Sequence, residues 1–258
     1  MITVYQGQAK SYPTISVLVC HGSMQLKFDQ FHPLVQYYQK HFKTVFSLEL
    51  PGHGSQRHFK DVSNLTPSNL VELLFKEIDS TCPTENLFIT SYSVSGMLFM
   101  KMWGKLLIRN PDLKGIFIGT AITVRSESKL LITRFFSEQM YLKLGWENIM
   151  IRQHGPNWRN TIRMINNWFQ GNLDILPSAD ELQVLIQEND KNNIFFILGT
   201  KDQPFQKEDI LNIHNFTLFE VEGDHFGYFV FKKAWPEVEK LLDKKLYEWH
   251  FTNKFGYL

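Results

Sequence analysis

The apolar positions along this chain alternate between two repeats. Residues 15–20 (ISVLVC) form an unbroken, mostly β-branched run, the pattern of a strand covered on both faces. Over residues 28–42 the apolar side chains Phe31, Leu34, Val35 and Tyr38 fall at helical spacing instead. Residues 44–50 return to strand and close on Pro51-Gly52-His53-Gly54-Ser55, which has turn chemistry. Thr66-Pro67-Ser68 reads as a helix N-cap with proline at the first helical position. Leu70, Leu73, Leu74, Phe75 and Ile78 give that helix one apolar face as far as Asp79. Leu87-Phe88-Ile89 is the next buried strand, and MLFMKMWGKLL, from Met97, is a helix apolar on nearly every face. Residues 115–120 (GIFIGT) are strand again, and residues 1–5 read as a short edge strand.

Strands that alternate with helices in this way predict an α/β fold, a mostly parallel sheet flanked by helices with right-handed crossovers. The alternation stops near Thr123. From there to about Asn192 the chain is helix-prone and rich in large rings, among them Phe135, Phe136, Tyr141, Trp146, Trp158, Trp168 and Phe169. A stretch so aromatic does not stay unpacked. The expected organisation is therefore a core of residues 1–122 and 192–258 with an inserted helical cap at 123–191. Residues 193–198 (NIFFIL) resume the sheet, residues 216–221 (FTLFEV) add a strand, and residues 235–249 form an amphipathic helix.

Composition narrows the functional classes. With 43% hydrophobic and 21% charged residues over 258 positions, a large core can be buried and a disordered chain is excluded. A net charge of +1 gives no electrostatic case for nucleic acid or an acidic membrane surface, so neither is expected as a partner. Neither a leader-like N-terminus nor an apolar stretch long enough to cross a bilayer is evident. The two cysteines, Cys20 and Cys82, read as buried thiols, and the expected location is cytoplasmic. The 22 phenylalanines fit either bulky packing or an apolar cleft.

Candidate chemistry gathers where strands end. In NLFITSYSVSG, residues 86–96, a strand runs into a serine-rich turn and then a helix, with Ser93 at the apex. This is the layout of a nucleophile elbow, in which the turn lifts the serine Oγ clear of the sheet and aims helix N–H groups at a developing oxyanion. Both glycines of the usual G-x-S-x-G are serines here, Ser91 and Ser95. They satisfy the size limit but lack glycine's conformational freedom. The same residues also read as a polar turn with a helix N-cap. Ser93 is preferred over Ser91 because it has a small residue two positions away on both sides. Gly199-Thr200-Lys201-Asp202-Gln203-Pro204-Phe205 follows the resumed strand and Gly223-Asp224-His225-Phe226-Gly227 the next one. Asp202 also reads as a turn former; Asp224 is a rival acid, disfavoured because adjacent side chains on extended backbone diverge.

Five segments in this order, HGS at 21–23, LELPGHGS at 48–55, SYSVSG at 91–96, LGTKDQPF at 198–205 and EGDHFGYF at 222–229, make nearly the whole chain resemble an α/β-hydrolase with a helical cap. Glu49 stands where relatives often have aspartate. The resemblance implies Ser93 as nucleophile, His225 as general base and acid, and Asp202 as the residue that orients the imidazole. It implies an oxyanion hole from the backbone N–H groups of Ser23 and Val94. Met24, Tyr92, Trp146 and Phe226 are the candidate substrate-binding residues. His21 is expected to support its loop, His53 and Ser55 to shape a turn at the mouth of the site, Cys20 to belong to the core, and Cys82 has no base assigned to it.

The expected activity is hydrolysis of a carboxylic ester or thioester of a small, largely apolar acyl or aromatic substrate, needing no metal or cofactor. Arg152, Arg159 and Arg163 offer a match for an acidic substituent, or are solvated helix faces. Amide, lactone or carbon–carbon cleavage and acyl transfer use the same residues, because one fold hosts many reactions. A ligand-binding or scaffold protein without turnover is the alternative class, favoured only by the altered glycines. The oligomeric state is open.

Overall fold

The computed structural model describes residues 1–22, 28–56, 62–135, 137–170, 175–225 and 234–255. Ser23, Met24 and Phe226 therefore lie outside the described residues. Seven strands form one sheet: β1 (Ile2–Gln6), β2 (Tyr12–Cys20), β3 (Phe42–Leu48), β4 (Leu87–Tyr92), β5 (Lys114–Ile118), β6 (Ile194–Gly199) and β7 (Leu218–Val221). Their spatial order is β1-β3-β2-β4-β5-β6-β7. Among the described residues only β1 runs antiparallel, against β3; every other pairing is parallel. That is the mostly parallel sheet expected from the alternation.

Ten helices accompany it among the described residues: α1 (Pro33–His41), α2 (Pro67–Thr81), α3 (Val94–Arg109), α4 (Ser126–Phe135), α5 (Glu138–Lys143), α6 (Glu147–His154), α7 (Trp158–Gln170), α8 (Ala179–Asp190), α9 (Glu208–Leu211) and α10 (Trp235–Phe255). The first starts five residues later than its apolar spacing predicts. Pro33 sets the start: it fits the first helical position, and it drives the residue before it, His32, into extended backbone. His32 then caps α1, its Nδ1 accepting from the Leu34 N–H at 3.3 Å. Thr66 caps α2 as expected, accepting from the Asn69 N–H at 3.2 Å.

Alternate side chains of β4 face opposite layers, as the two-residue repeat of a strand requires. Leu87 and Ile89 join the core that holds the apolar faces of α2 and α3. Phe88 and Tyr92 join the core under α1 and α10. Five helices, α4 to α8, lie between β5 and β6. Of these, α8 packs on α3 and β6 beside the sheet, α7 packs on the short turn at Val62–Asn64, and α4, α5 and α6 each pack on α7. No helix among the described residues is long and apolar enough to cross a membrane.

Candidate active site

Everything about Ser93 follows from where its backbone is forced to go. β4 is buried along its whole length, and α3 begins at Val94. One residue has to make the change of direction, and Ser93 does so at φ 58° and ψ −132°, outside the regions that L-residues populate freely. Its N–H donates to Ile118 O on β5 at 2.8 Å, and its carbonyl accepts from the Gly96 N–H at 2.9 Å. Although Ser93 occupies the N-cap position of α3, it makes no side-chain cap bond. Its Oγ is instead 3.0 Å from His225 Nε2.

The two serines that replace the usual glycines behave differently. Ser95 Oγ accepts from the Tyr92 N–H at 3.1 Å and lies within donating distance of Tyr92 O (2.8 Å) and Cys20 O (3.2 Å), so the hydroxyl closes the turn. Ser91 Oγ is buried with no hydrogen-bond partner among the described residues. The need for glycine has moved elsewhere. A Cβ on Gly96 would meet the Thr120 side chain at 2.7 Å, and one on Gly22 would meet Ser93 Cβ at 2.7 Å.

Asp202 and His225 arrive from the ends of β6 and β7. The Asp202 N–H donates to Gly199 O at 3.0 Å, turning the loop back on the strand it leaves. One carboxylate oxygen accepts from the Phe205 N–H at 2.9 Å, which leaves the other to face His225 Nδ1 at 2.9 Å. Asp224 is exposed, and the bond to His225 belongs to Asp202. With the Nδ1 proton directed at Asp202, His225 presents the Nε2 lone pair to the Ser93 hydroxyl. Three residues far apart in sequence thus form one hydrogen-bonded line, each of them less than a tenth exposed.

Rings enclose the imidazole. Tyr92 stacks on His225 at 5.3 Å, while Phe205 and Phe135 meet it edge-on at 5.4 and 5.5 Å. Phe135, the last residue of α4, and Phe205 are absent from the substrate-binding residues expected from sequence. The only sequence signals for them were the Phe135-Phe136 pair and the final position of LGTKDQPF. Trp146 packs at 6.3 Å from Tyr141, between α5 and α6. Val94, whose backbone N–H opens α3, is fully buried.

The neighbouring loops are held by buried polar groups. His21 is fully buried, its Nδ1 donating to Gly22 O at 2.7 Å and its Nε2 accepting from the Leu50 N–H at 3.1 Å. His53 donates from Nδ1 to Pro51 O at 3.0 Å, and Ser55 bonds the buried Glu49 carboxylate through both its N–H and Oγ. His154, from α6, donates to Gly52 O at 3.2 Å and sets its ring edge-on to His53 at 4.5 Å. Burial lowers the His53 pKa to about 4 and puts His154 well below the usual histidine range. Burial also pushes the Cys20 and Cys82 thiols up to about 12, so neither is a ready thiolate. Cys82 caps the C-terminus of α2, just before the start of β4, at the sheet edge opposite Ser93. Among the described residues no three His, Cys, Asp or Glu side chains are grouped to hold a metal ion.

One more carboxylate ties the site together. Asp209 is fully buried and accepts from Ser128 Oγ (2.7 Å), Arg125 Nε (3.1 Å) and the N–H groups of Arg125 (3.2 Å) and Gln206 (3.1 Å). Its carbonyl accepts from the N–H groups of Ile122 and Thr123.

A parallel sheet with one antiparallel edge strand, a serine on a strained strand-to-helix turn after β4, and acid and histidine at the ends of β6 and β7 together make the α/β-hydrolase fold. Solved structures share it over nearly their whole length. The meta-cleavage product hydrolase from Pseudomonas fluorescens IP01 superposes with a TM-score of 0.66 at 14% identity, covering 96% of this chain and 93% of that one. The N-acyl homoserine lactonase AidH gives 0.63 at 15%, with coverages of 96% and 94%. MenH from S. aureus gives 0.62 at 13%, with coverages of 96% and 98%. No family model and no curated protein matches the sequence.

Proposed function

We propose that the protein is a serine hydrolase that cleaves a carboxylic ester or thioester through an acyl-enzyme. The observation that carries this reading is the line Ser93 Oγ–His225 Nε2 (3.0 Å) and His225 Nδ1–Asp202 Oδ2 (2.9 Å). Ser93 attacks the acyl carbon as His225 takes its proton at Nε2, and Asp202 stabilises the imidazolium and fixes the Nδ1–H tautomer. His225 then protonates the leaving oxygen or sulfur. In the second half it activates water, which releases the acid and restores Ser93. The Val94 N–H, at the N-terminus of α3, is the expected oxyanion donor together with that of Ser23.

The solved relatives act, by their descriptions, on a lactone and on a meta-cleavage product, so the shared fold does not choose the bond. The nucleophile favours an acyl carbon: a hydroxyl backed by a neutral imidazole is suited to carbonyl addition. The rings of Phe135 and Phe205 beside His225 favour an apolar acyl or aromatic group. Residues 123–191 are proposed as the cap, with α4 to α7 as its cover and α8 as the return beside α3.

A fluorophosphonate probe tests the reading, followed by p-nitrophenyl esters and acyl-CoA thioesters of graded chain length. The probe is expected to label the protein and to leave Ser93→Ala unlabelled. Well-folded protein that takes no label would establish a binding protein in place of an enzyme.

A further inference from the structure

We propose that Asp209 is a positioning residue for His225, a role that rests on the reading of His225 as general base. The two oxygens of its carboxylate hold two different segments of the chain. Oδ1 accepts from the N–H (3.2 Å) and the Nε (3.1 Å) of Arg125, at the start of α4. Oδ2 accepts from the Gln206 N–H at 3.1 Å, on the strap that follows Asp202. Ser128 Oγ, in the first turn of α4, lies within donating distance of both, at 3.0 and 2.7 Å. The dipole of α4 also favours an anion at this end of the helix.

Both segments lead to the same imidazole. Phe205 directly precedes Gln206, and its N–H donates to Asp202 Oδ1 at 2.9 Å. Asp202 and Asp209 thus pin adjacent backbone N–H groups, and the Phe205 ring meets His225 at 5.4 Å. In the other direction α4 runs from Ser126 to Phe135, a stiff rod about 15 Å long at about 1.5 Å per residue. The Phe135 ring at its far end meets His225 at 5.5 Å. One fully buried acid therefore sets two of the rings that bracket the base. Those rings keep water from the bond between His225 Nδ1 and Asp202, which strengthens in a low dielectric, and hold Nε2 toward Ser93 Oγ.

The arrangement needs a carboxylate. An amide of the same size has one oxygen to accept with, so its NH2 must face either the Arg125 donors or the Gln206 N–H. Asp209→Asn thereby releases one segment. Arg125 keeps Gln206 Oε1 at 3.2 Å and Glu208 at 3.6 Å, so the variant is expected to fold.

The test is Asp209→Asn in the full-length chain, with Ser128→Ala as a milder variant that removes one donor to the same carboxylate. Fluorophosphonate labelling of Ser93 is expected to slow about thirtyfold in the first and about threefold in the second, since small displacements of a base are costly. Phe135→Leu combined with Phe205→Leu is expected to slow labelling to a similar degree as Asp209→Asn. Adding Asp209→Asn to that pair should then cost little more, because residues that act through one another are not additive.

Hydrogen exchange read by NMR needs no turnover. The His225 Nδ1 proton is expected to exchange about tenfold faster in Asp209→Asn, while the Trp249 Nε1 proton, bonded to Asn192 O from α10, keeps its parental rate. Should Asp209→Asn fail to fold, Ser128→Ala carries the same expectations at smaller size. Parental labelling and exchange, full additivity with the ring substitutions, or equal acceleration of both protons overturns the proposal; the last would make Asp209 a general brace for the fold. A parent that takes no label removes the hydrolase reading alone, and the two exchange rates still decide whether Asp209 sets the imidazole.

Discussion

Gly22 and Ser93 are in such close contact that a methyl group on the glycine would fall 2.7 Å from the Ser93 Cβ. The end of β2 and the turn that carries the hydroxyl therefore set each other's position. Gly22→Ala is expected to displace Ser93, slowing fluorophosphonate labelling roughly a hundredfold and costing about 1–3 kcal/mol of stability. Labelling kinetics and urea denaturation read the two effects, and a parental labelling rate would refute the contact's role.

Two serines four positions apart should respond in opposite ways. Ser95→Ala leaves the buried Tyr92 N–H without its acceptor and is expected to cost about 1–3 kcal/mol. Ser91→Ala removes a buried hydroxyl that has no partner among the described residues, and is expected to leave stability unchanged or slightly raised. Denaturant midpoints of the two variants, measured side by side, decide the matter.

Asp202→Asn keeps an oxygen for the Phe205 N–H but presents an amide to His225 Nδ1, favouring the wrong tautomer. On the proposed mechanism kcat falls about 10⁴-fold with the fold intact. Asp224→Asn, at an exposed position, should leave kcat within about twofold. Steady-state kinetics on whichever ester the panel identifies would expose an error if Asp224 proved the more sensitive.

Acid should loosen the junction between α6 and the 51–55 turn. Burial holds His53 down to about 4 and puts His154 well below its ordinary value, against about 6.5 in an unfolded chain. Between those values the unfolded chain binds protons that the folded one refuses. The stability these neutral rings contribute is thus complete above about pH 6.5 and is lost as pH falls toward 4, by about 1.4 kcal/mol per pH unit for each histidine. His32, pushed to about 3 by burial, adds to the same slope. His154→Phe is expected to make the acid limb of stability against pH shallower by about one proton; an unaltered limb would remove His154 from the account.

The strand pattern and the serine–acid–histidine order were legible because continuous apolar runs and strand-end polar residues are local signals. The preference for Ser93 over Ser91 rests on neighbour size alone, and it is the Ser93 Oγ that lies 3.0 Å from His225 Nε2. What Ser95 does was not legible, since the partners of its hydroxyl include Cys20 O from another strand. The start of α1 was misplaced because spacing was read without weighing Pro33. Phe135 at the imidazole depends on how α4 packs, and helical periodicity says nothing of which distant ring a helix end will meet. Helices were foreseen throughout 123–192, yet the place of α8 beside α3 and β6 belongs to tertiary packing.

The hydrogen bonds converging on Asp209 limit how the α4–α7 layer can move. Ile122, Thr123, Arg125 and Ser128 on one side and Gln206 on the other share a single residue, seven positions along from Asp202. A hinge consequently has no place between Ile122 and Ser128. On the proposed mechanism, any swing of the layer that begins there would pull on the strap bearing Asp202, and so on the carboxylate that faces His225 Nδ1.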